Sequence, residues 1–301
     1  MRKVALVGML VVLGFAACTR NDGTGLRPPD APRLSGTPDL VGTPDLIVDS
    51  DKLATSWIIH DELLPASFCS VQEANITPGE HRTLRFTVTT PNIGDADIFI
   101  GDPNTHMDPN GDGNFKDSDG LFEFATCHNH FHFRNYAKYE LLPVAADGSL
   151  GAPIQAKKRG FCMIDVTPFH ETSNGSWVYR SCGRIGIPGN QGISTGWADT
   201  YVKSLGGQYF LMDDPVAPVT PGNYLLRITV NPPFVASNKE PCPALDTKGF
   251  CHMFKESDYS NNVGQVYITV PDRVGKTGWG PGGNDGNLTS EASDDEDRPT
   301  K

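Results

Sequence analysis

The sequence lacks several features that define common functional classes. No stretch carries a long apolar stripe of helical period, which argues against a helical bundle. Positive charge is scarce, because 25 Lys and Arg stand against 36 Asp and Glu. The formal net charge of −11 argues against nucleic acid as a partner and is compatible with basic substrates. The HExxH-type spacing of zinc hydrolases is also absent, so we rank that class last.

Turn-forming residues are abundant instead. The 301 residues include 32 Gly and 24 Pro, and the hydrophobic content of 38% is that of a soluble globular protein. Strand signals bounded by Gly, Pro or Asn occur over residues 81–94, 96–102, 129–144, 222–233 and 264–272. These patterns predict an all-β, sandwich-like single domain over residues 38–271, with long loops and little helix.

Both ends of the chain differ from this domain. A basic start followed by "VALVGMLVVLGFAA" predicts a cleaved signal peptide over residues 1–17, too short to span a bilayer. The small residues before Cys18 are typical of a bacterial lipobox, so residues 18–37 are interpreted as a lipidated cysteine and a flexible tether. Ordinary signal cleavage is the alternative. Both predict export, either as an envelope lipoprotein of the outer membrane or periplasm or as a secreted protein. Residues 272–301, Gly-rich and then acidic, predict a disordered tail.

Cysteine number supports an exported protein. Without Cys18 the count is even, which favours disulfides in an oxidising compartment. Six cysteines allow about 15 connectivities, and their spacing does not select one. The six are Cys69, Cys127, Cys162, Cys182, Cys242 and Cys251.

The segment "FATCHNHFHFRNY", residues 124–136, contains three of the eight histidines. His128, His130 and His132 alternate, so on a β-strand they would project from one face. Neutral imidazoles at that spacing predict one metal site with open coordination positions. Nitrogen ligands suit Cu(II) or Zn(II), and the spacing does not distinguish the two. The alternative is a surface strand that happens to be rich in histidine.

Five segments in consistent order resemble the lysyl oxidase family. They are "CHNHFHFRNYAKYELL", "KKRGFCMID", "NQGISTGWADTY", "VTPGNYLLRITVNPPF" and "ESDYSNNV". The resemblance covers roughly residues 38–270 and implies a lysyl oxidase-like catalytic domain. One departure is Ala125, which stands where the family has a further histidine.

The resemblance implies a copper amine oxidase. Copper would be held by His128, His130 and His132. Lys158 and Tyr201 would form the organic cofactor, lysyl tyrosylquinone, with Lys157 as the neighbour that could confuse the register. The implied reaction oxidises a primary amine or peptidyl lysine with O₂ and yields an aldehyde, ammonia and hydrogen peroxide. The alternative is a non-enzymatic envelope lipoprotein that binds copper or a partner and never forms the quinone.

Two further assignments stay open at this stage. Asp165 and Asp199 lie near the relevant segments as candidate bases, although each could equally hold a turn. The resemblance favours a Cys127–Cys182 disulfide. Cys242–Cys251 would be a local hairpin closure, which leaves Cys69–Cys162 by elimination.

Two segments are candidate calcium sites. Residues 108–119 place Asp108, Asn110, Asp112 and Asp119 at ligand positions of an EF-hand-type loop, although Asp replaces the usual final Glu. An acidic, turn-rich loop is the alternative. The family carries a structural calcium near its closing segment, which is amide-rich here. The resemblance therefore suggests a second candidate group: Glu256, Asp258, Asn261 and Asn262.

Overall fold

A computed structural model describes residues 38–158, 160–169, 178–236, 241–284 and 286. The predicted signal peptide, Cys18 and the tether lie outside these residues. Among the described residues, no helix has both the length and the apolar character needed to cross a membrane.

Strands dominate the described chain, which confirms the all-β prediction with long loops and little helix. The helices are α1 (Ser50–Thr55), α2 (Cys69–Glu73) and α3 (Pro103–Met107), with a 3-10 turn at Phe115–Asp117. The strands are β1 (Trp57–Leu64), β2 (Gly79–Phe86), β3 (Val88–Pro91), β4 (Ile98–Gly101), β5 (Phe122–Ala125), β6 (His130–Phe133), β7 (Ala137–Pro143), β8 (Ile154–Gln155), β9 (Thr167–Pro168), β10 (Gln191–Ile193), β11 (Trp197–Tyr201), β12 (Tyr209–Leu211), β13 (Gly222–Val230), β14 (Ala244–Leu245), β15 (Cys251–His252) and β16 (Val263–Val270).

The strands pair into small antiparallel sheets. The largest has the order β16-β13-β7-β8, and two three-stranded sheets have the orders β1-β2-β12 and β3-β11-β9. Two-stranded pairs join β4 with β10, β5 with β6, and β14 with β15. The β5–β6 pair carries the histidines and β11 carries Tyr201, so the site is built from two different sheets.

One main core unites the described chain. Alternate residues of β13, among them Leu226 and Ile228, point into it because side chains alternate between the faces of a strand. The same core contains Phe86 from β2, Phe133 from β6 and Tyr201 from β11. Because residues from Leu46 to Val270 contribute to this core, the chain folds as a single domain.

The histidine segment is not the single strand that the sequence predicts over residues 129–144. A turn at Arg134–Tyr136 separates β6 from β7, and Asn135 has a positive φ of 55°. His128 lies in the β5–β6 turn rather than on a strand, next to Asn129 with φ of 57°. Asn tolerates the left-handed region better than most residues, which explains both breaks.

The disulfides correct two of the three predicted pairs. The structure joins Cys69 to Cys127 and Cys162 to Cys182, so the predicted Cys127–Cys182 and Cys69–Cys162 pairs are wrong. The reason is packing: α2 lies beside the β5–β6 turn, whereas Cys162 and Cys182 share a separate small apolar cluster. The prediction of Cys242–Cys251 is confirmed.

The predicted start of a disordered tail at residue 272 is also wrong for residues 272–284. This segment runs along β1, where Ile59 and Trp279 exchange two backbone hydrogen bonds of 2.8 and 2.7 Å. Gly282 N also donates to Trp57 O at 2.9 Å. The segment has little to bury, so composition suggested disorder, but the open edge of β1 offers it backbone partners. The predicted disorder of the last residues lies outside the described chain.

Candidate metal centre

The β5–β6 hairpin brings the three histidine rings together. The ring centroids lie 5.5 Å apart for His128 and His130, 5.4 Å for His128 and His132, and 4.9 Å for His130 and His132. His130 and His132 are buried on β6, with 1% and 3% of their surface exposed. The turn thus supplies one imidazole and the strand supplies two.

The donor chemistry of this cluster fits a transition metal. The Nε2 atoms of His130 and His132 lie 3.1 Å apart, so at most one of them carries the proton between them. Two imidazole nitrogens that face each other in a buried position can share one cation. Nitrogen ligands suit both Cu(II) and Zn(II).

Lys158 and Tyr201 lie next to each other. The Lys158 Nζ atom is 5.1 Å from the centroid of the Tyr201 ring, over its face, and 5.7 Å from the centroid of the Phe161 ring. Tyr201 is 1% exposed, and its hydroxyl donates a hydrogen bond of 2.9 Å to Cys162 O. The Phe161 ring meets the Tyr201 ring edge-on, with centroids 5.2 Å apart.

The neighbouring lysine has a different environment. Lys157 Nζ lies 2.5 Å from Asp214 Oδ2, and this contact lowers the pKa of the Asp214 carboxyl. Lys157 N also donates to Tyr209 O at 2.9 Å. Of the two adjacent lysines, Lys158 is therefore the one over the tyrosine ring.

Glycines bring the two halves of the site into contact. A Cβ added to Gly160 would overlap the ring of His132, so the chain segment that carries Lys158 lies directly against the histidines. Gly207, with φ of +71°, brings the loop after β11 against Lys158, and an added Cβ would stand 3.1 Å from Lys158 Cα. The segment that carries Lys158 thus packs against His132 at Gly160 and against the loop after β11 at Gly207.

The two candidate bases differ in their surroundings. Asp165 accepts hydrogen bonds from Ser194 N and Ser194 Oγ at 2.7 Å each and from the backbone N–H groups of Val178 and Tyr179. Burial nevertheless raises the pKa of Asp165 to about 6. With four donors on its two oxygens, Asp165 holds its own loops together.

Asp199 lies on the same strand as Tyr201. It is buried on β11 two residues before Tyr201, so both side chains project from the same face of the strand. Burial, reinforced by the Asp199 carboxylate, raises the pKa of Tyr136, whose ring centroid lies 6.1 Å from that of Tyr201. Of the two carboxylates, Asp199 is thus the one that shares a strand face with Tyr201.

The loop at residues 108–119 gathers a different acidic set from the one predicted. Carboxylate oxygens of Asp108, Asp112 and Asp117 lie within 4.8 Å of one another. Asp119 is not part of this group, because its carboxylate lies 2.6 Å from Nδ1 of His106. Asn110 is in the cluster and donates to Asp117 Oδ2 at 2.7 Å.

The closing segment, residues 256–262, brings carboxylate and amide oxygens together around Glu256. Leu46 N donates to Glu256 Oε2 at 2.7 Å, and Asn262 Nδ2 donates to Glu256 Oε1 at 2.9 Å. Asn261 Nδ2 donates to Asp45 Oδ1 at 3.0 Å, which adds a carboxylate that the sequence did not suggest. Burial raises the pKa of Glu256 to about 7.

Two acceptors of this group lack a partner. Within the described chain, the side-chain oxygens of Asn261 and Asn262 are buried and accept no hydrogen bond. Asp258 lies in the same segment, where its carboxylate accepts from Ser260 N at 2.7 Å. Buried acceptors without donors are compatible with a cation that prefers oxygen ligands.

Comparison with known proteins decides the family. The family model described as lysyl oxidase matches residues 44–241, which is more than half of the chain. The chain belongs to the lysyl oxidase family. The matched range includes the three histidines, Lys158 and Tyr201, and it ends before the candidate calcium group at residues 256–262.

Over the aligned residues, curated relatives from the lysyl oxidase family are about a quarter identical to the chain. Protein-lysine 6-oxidase of Rattus norvegicus is 26% identical over 197 residues, 64% of this chain and 36% of the rat protein. Lysyl oxidase homolog 3B of Danio rerio is 26% identical over 217 residues, 68% of this chain and 21% of its own length. For protein-lysine 6-oxidase of Sus scrofa the values are 26% over 193 residues, 63% and 58%. The chain thus spans between a fifth and three fifths of these relatives.

Proposed function

We propose that this lysyl oxidase family member is a copper-dependent oxidase of primary amines, peptidyl lysine among them. The observation that carries the proposal is the position of Lys158 Nζ, 5.1 Å from the centroid of the buried Tyr201 ring, on a segment that packs against His132 at Gly160. The overall reaction converts an amine, O₂ and water into an aldehyde, ammonia and hydrogen peroxide.

The chain's own residues prepare the cofactor. His128, His130 and His132 would hold copper, which supplies redox chemistry with O₂ when bound. The hydrogen bond to Cys162 O and the edge-on Phe161 ring hold the Tyr201 ring in one orientation. Lys158 Nζ lies over the face of that ring, so a movement of a few ångströms would bring the amine to a ring carbon. Formation of lysyl tyrosylquinone would also require oxidation of the Tyr201 ring by O₂, which is the chemistry that bound copper would supply, before the deprotonated amine adds to the oxidised ring.

Two further features support amine oxidation. Asp199 projects from the same strand face as Tyr201 and is the carboxylate proposed to accept the α-proton of the amine. The net charge of −11 favours cationic amines over anionic ones.

The test separates this oxidase from a protein that only binds copper in the envelope. Copper-loaded, aerated protein should yield a peptide in which Lys158 is bonded to Tyr201, seen by mass spectrometry, and should release peroxide with primary amines. Lys158→Arg and Tyr201→Phe should abolish both signals. Lys157→Arg keeps the cation beside Asp214 and should retain both. Only unmodified peptides and no peroxide would favour the non-enzymatic copper-binding lipoprotein.

We also propose that the protein is exported and anchored through a lipid on Cys18. The basis is the sequence of residues 1–18 alone, with its apolar run and small residues before the cysteine. Metabolic labelling with a fatty acid should mark the wild-type protein. Cys18→Ser should be unlabelled, and labelling of that variant would contradict the anchor.

Calcium is proposed as a structural ion of the closing segment. The group comprises Asp45, Glu256, Asp258, Asn261 and Asn262, and its support is the pair of buried Asn oxygens without donors. Calcium should raise the midpoint of thermal unfolding of wild type and should not raise that of Asp45→Asn. Asp112→Asn is the corresponding variant for the loop at residues 108–119. If calcium raises the unfolding midpoint of Asp112→Asn as much as that of wild type, calcium binds at the closing segment and not at this loop.

A further inference from the structure

Helix α2 holds the histidine turn from outside the hairpin. The disulfide between Cys69, the first residue of α2, and Cys127 joins the helix to the residue immediately before His128. At the other end of the helix, Glu73 Oε2 lies 3.5 Å from Nε2 of His128. The disulfide and the carboxylate thus converge on one of the three histidines.

His128 needs such a restraint more than its two neighbours do. His130 and His132 lie on β6, where backbone pairing with Ala125 and Glu123 of β5 orients them. His128 lies in the turn that precedes β6, so the strand ladder does not fix its ring. Its side chain is nevertheless only 8% exposed, and that of Glu73 is 27% exposed, so their contact is partly shielded from water.

We propose that Glu73 is a positioning residue of the metal centre, which rests on the proposed copper-dependent function. Its carboxylate lies where it would accept a hydrogen bond from Nε2–H, which would fix the orientation and tautomer of the His128 ring and leave Nδ1 for the metal. A carboxylate on the far nitrogen of a metal-bound imidazole also makes that imidazole more basic and adds negative charge near the cation. Residues from two parts of the chain, α2 and the hairpin, therefore build one metal site.

The experiment uses the mature protein, freed of metal and then titrated with Cu(II) against a competing chelator. Glu73→Gln keeps the size of the side chain and removes its charge. It should weaken Cu(II) binding by roughly 10- to 100-fold and should change the electron paramagnetic resonance spectrum of the bound copper. Both signals are independent of turnover. The unfolding midpoint of the metal-free variant should stay close to that of wild type, because Glu73 is an exposed residue at the end of α2.

Glu80→Gln is the matched control. It removes one carboxylate from an exposed pair with Lys276, 3.2 Å away, and should change Cu(II) affinity by less than about twofold. If Glu73→Gln behaves like Glu80→Gln in affinity and spectrum while His130→Gln loses copper, the positioning role is wrong and the copper centre stands. If His130→Gln also binds copper like wild type, the proposed copper centre fails together with the role of Glu73.

Discussion

Two adjacent lysines show what single residues contribute to this site. Lys157 and Lys158 have the same chemistry and neighbouring positions, yet one lies against Asp214 and the other over the Tyr201 ring. The chain bends at Lys157, and the two adjacent side chains reach different partners. Identity at one position therefore matters far more than the net charge of the pair.

Gly160 gives a prediction at this scale. Gly160→Ala places a methyl group against the His132 ring, which must move. We expect a destabilisation of about 1–3 kcal/mol and Cu(II) binding that is weaker by about tenfold. Gly151→Ala is the control, since its Cβ would meet only Pro143 at 3.2 Å. Thermal unfolding and chelator competition measure the two effects, and equal copper affinity in both variants would contradict the close packing of Gly160 on His132.

Asp165 gives a second prediction, on pH. Burial raises its pKa from 3.8 to about 6, so the folded state binds the proton more tightly than the unfolded chain does. Stability should therefore fall as pH rises from about 4 to 6, by an amount on the order of 3 kcal/mol. Glu256, whose pKa is raised to about 7, contributes a fall of its own in an overlapping range, so Asp165→Asn should make the fall smaller without removing it. The exposed control Asp147→Asn should keep the fall, and denaturant unfolding at several pH values measures it.

At the scale of elements, the short helix α2 and the β5–β6 hairpin act together. The turn between β5 and β6 carries His128, and the Cys69–Cys127 disulfide ties that turn to a helix 58 residues earlier in sequence. An isolated two-stranded hairpin is only marginally stable. The Cys69–Cys127 disulfide restricts the positions that the turn of this hairpin can adopt.

Removal of this disulfide tests the coupling between the two elements. The double variant Cys69→Ser, Cys127→Ser should lose about 2–5 kcal/mol of stability. It should also weaken Cu(II) binding, because His128 follows Cys127 directly. The double variant Cys242→Ser, Cys251→Ser removes the disulfide between two cysteines that are 9 residues apart in sequence. It should leave the affinity for Cu(II) near that of wild type. Equal copper affinities in the two double variants would show that the tie does not serve the metal site.

At the scale of the whole molecule, one core supports sheets that are each small. Tyr201, Phe161 and Phe133 belong to the same core as residues of β1, β2 and β13, so the site has no separate scaffold. Any large loss of packing should therefore affect the site and the fold together.

The segment at residues 272–284 provides a prediction at this scale. Deletion of residues 272–301 removes the backbone hydrogen bonds between this segment and β1 and should lower the unfolding midpoint. Deletion of residues 287–301 alone leaves those bonds and should keep the midpoint of the full chain. Equal midpoints for the two truncated proteins would contradict a structural role for Trp279 and its neighbours.

Local patterns in the sequence determined the class of fold and the chemistry of the candidate ligands. Strand alternation and turn residues predicted an all-β domain because a β-strand repeats every two residues. Three histidines at alternate positions predicted a metal site because imidazole is a common metal ligand. The ligand set itself, the quinone and calcium remain predictions.

Tertiary structure decided the partners. It paired Cys69 with Cys127, broke the predicted histidine strand at Asn135, and brought Glu73 to His128. It also brought Asp45 to Asn261, 216 residues away in sequence. Such contacts follow from how elements pack against a shared core, and no local period or spacing encodes that packing.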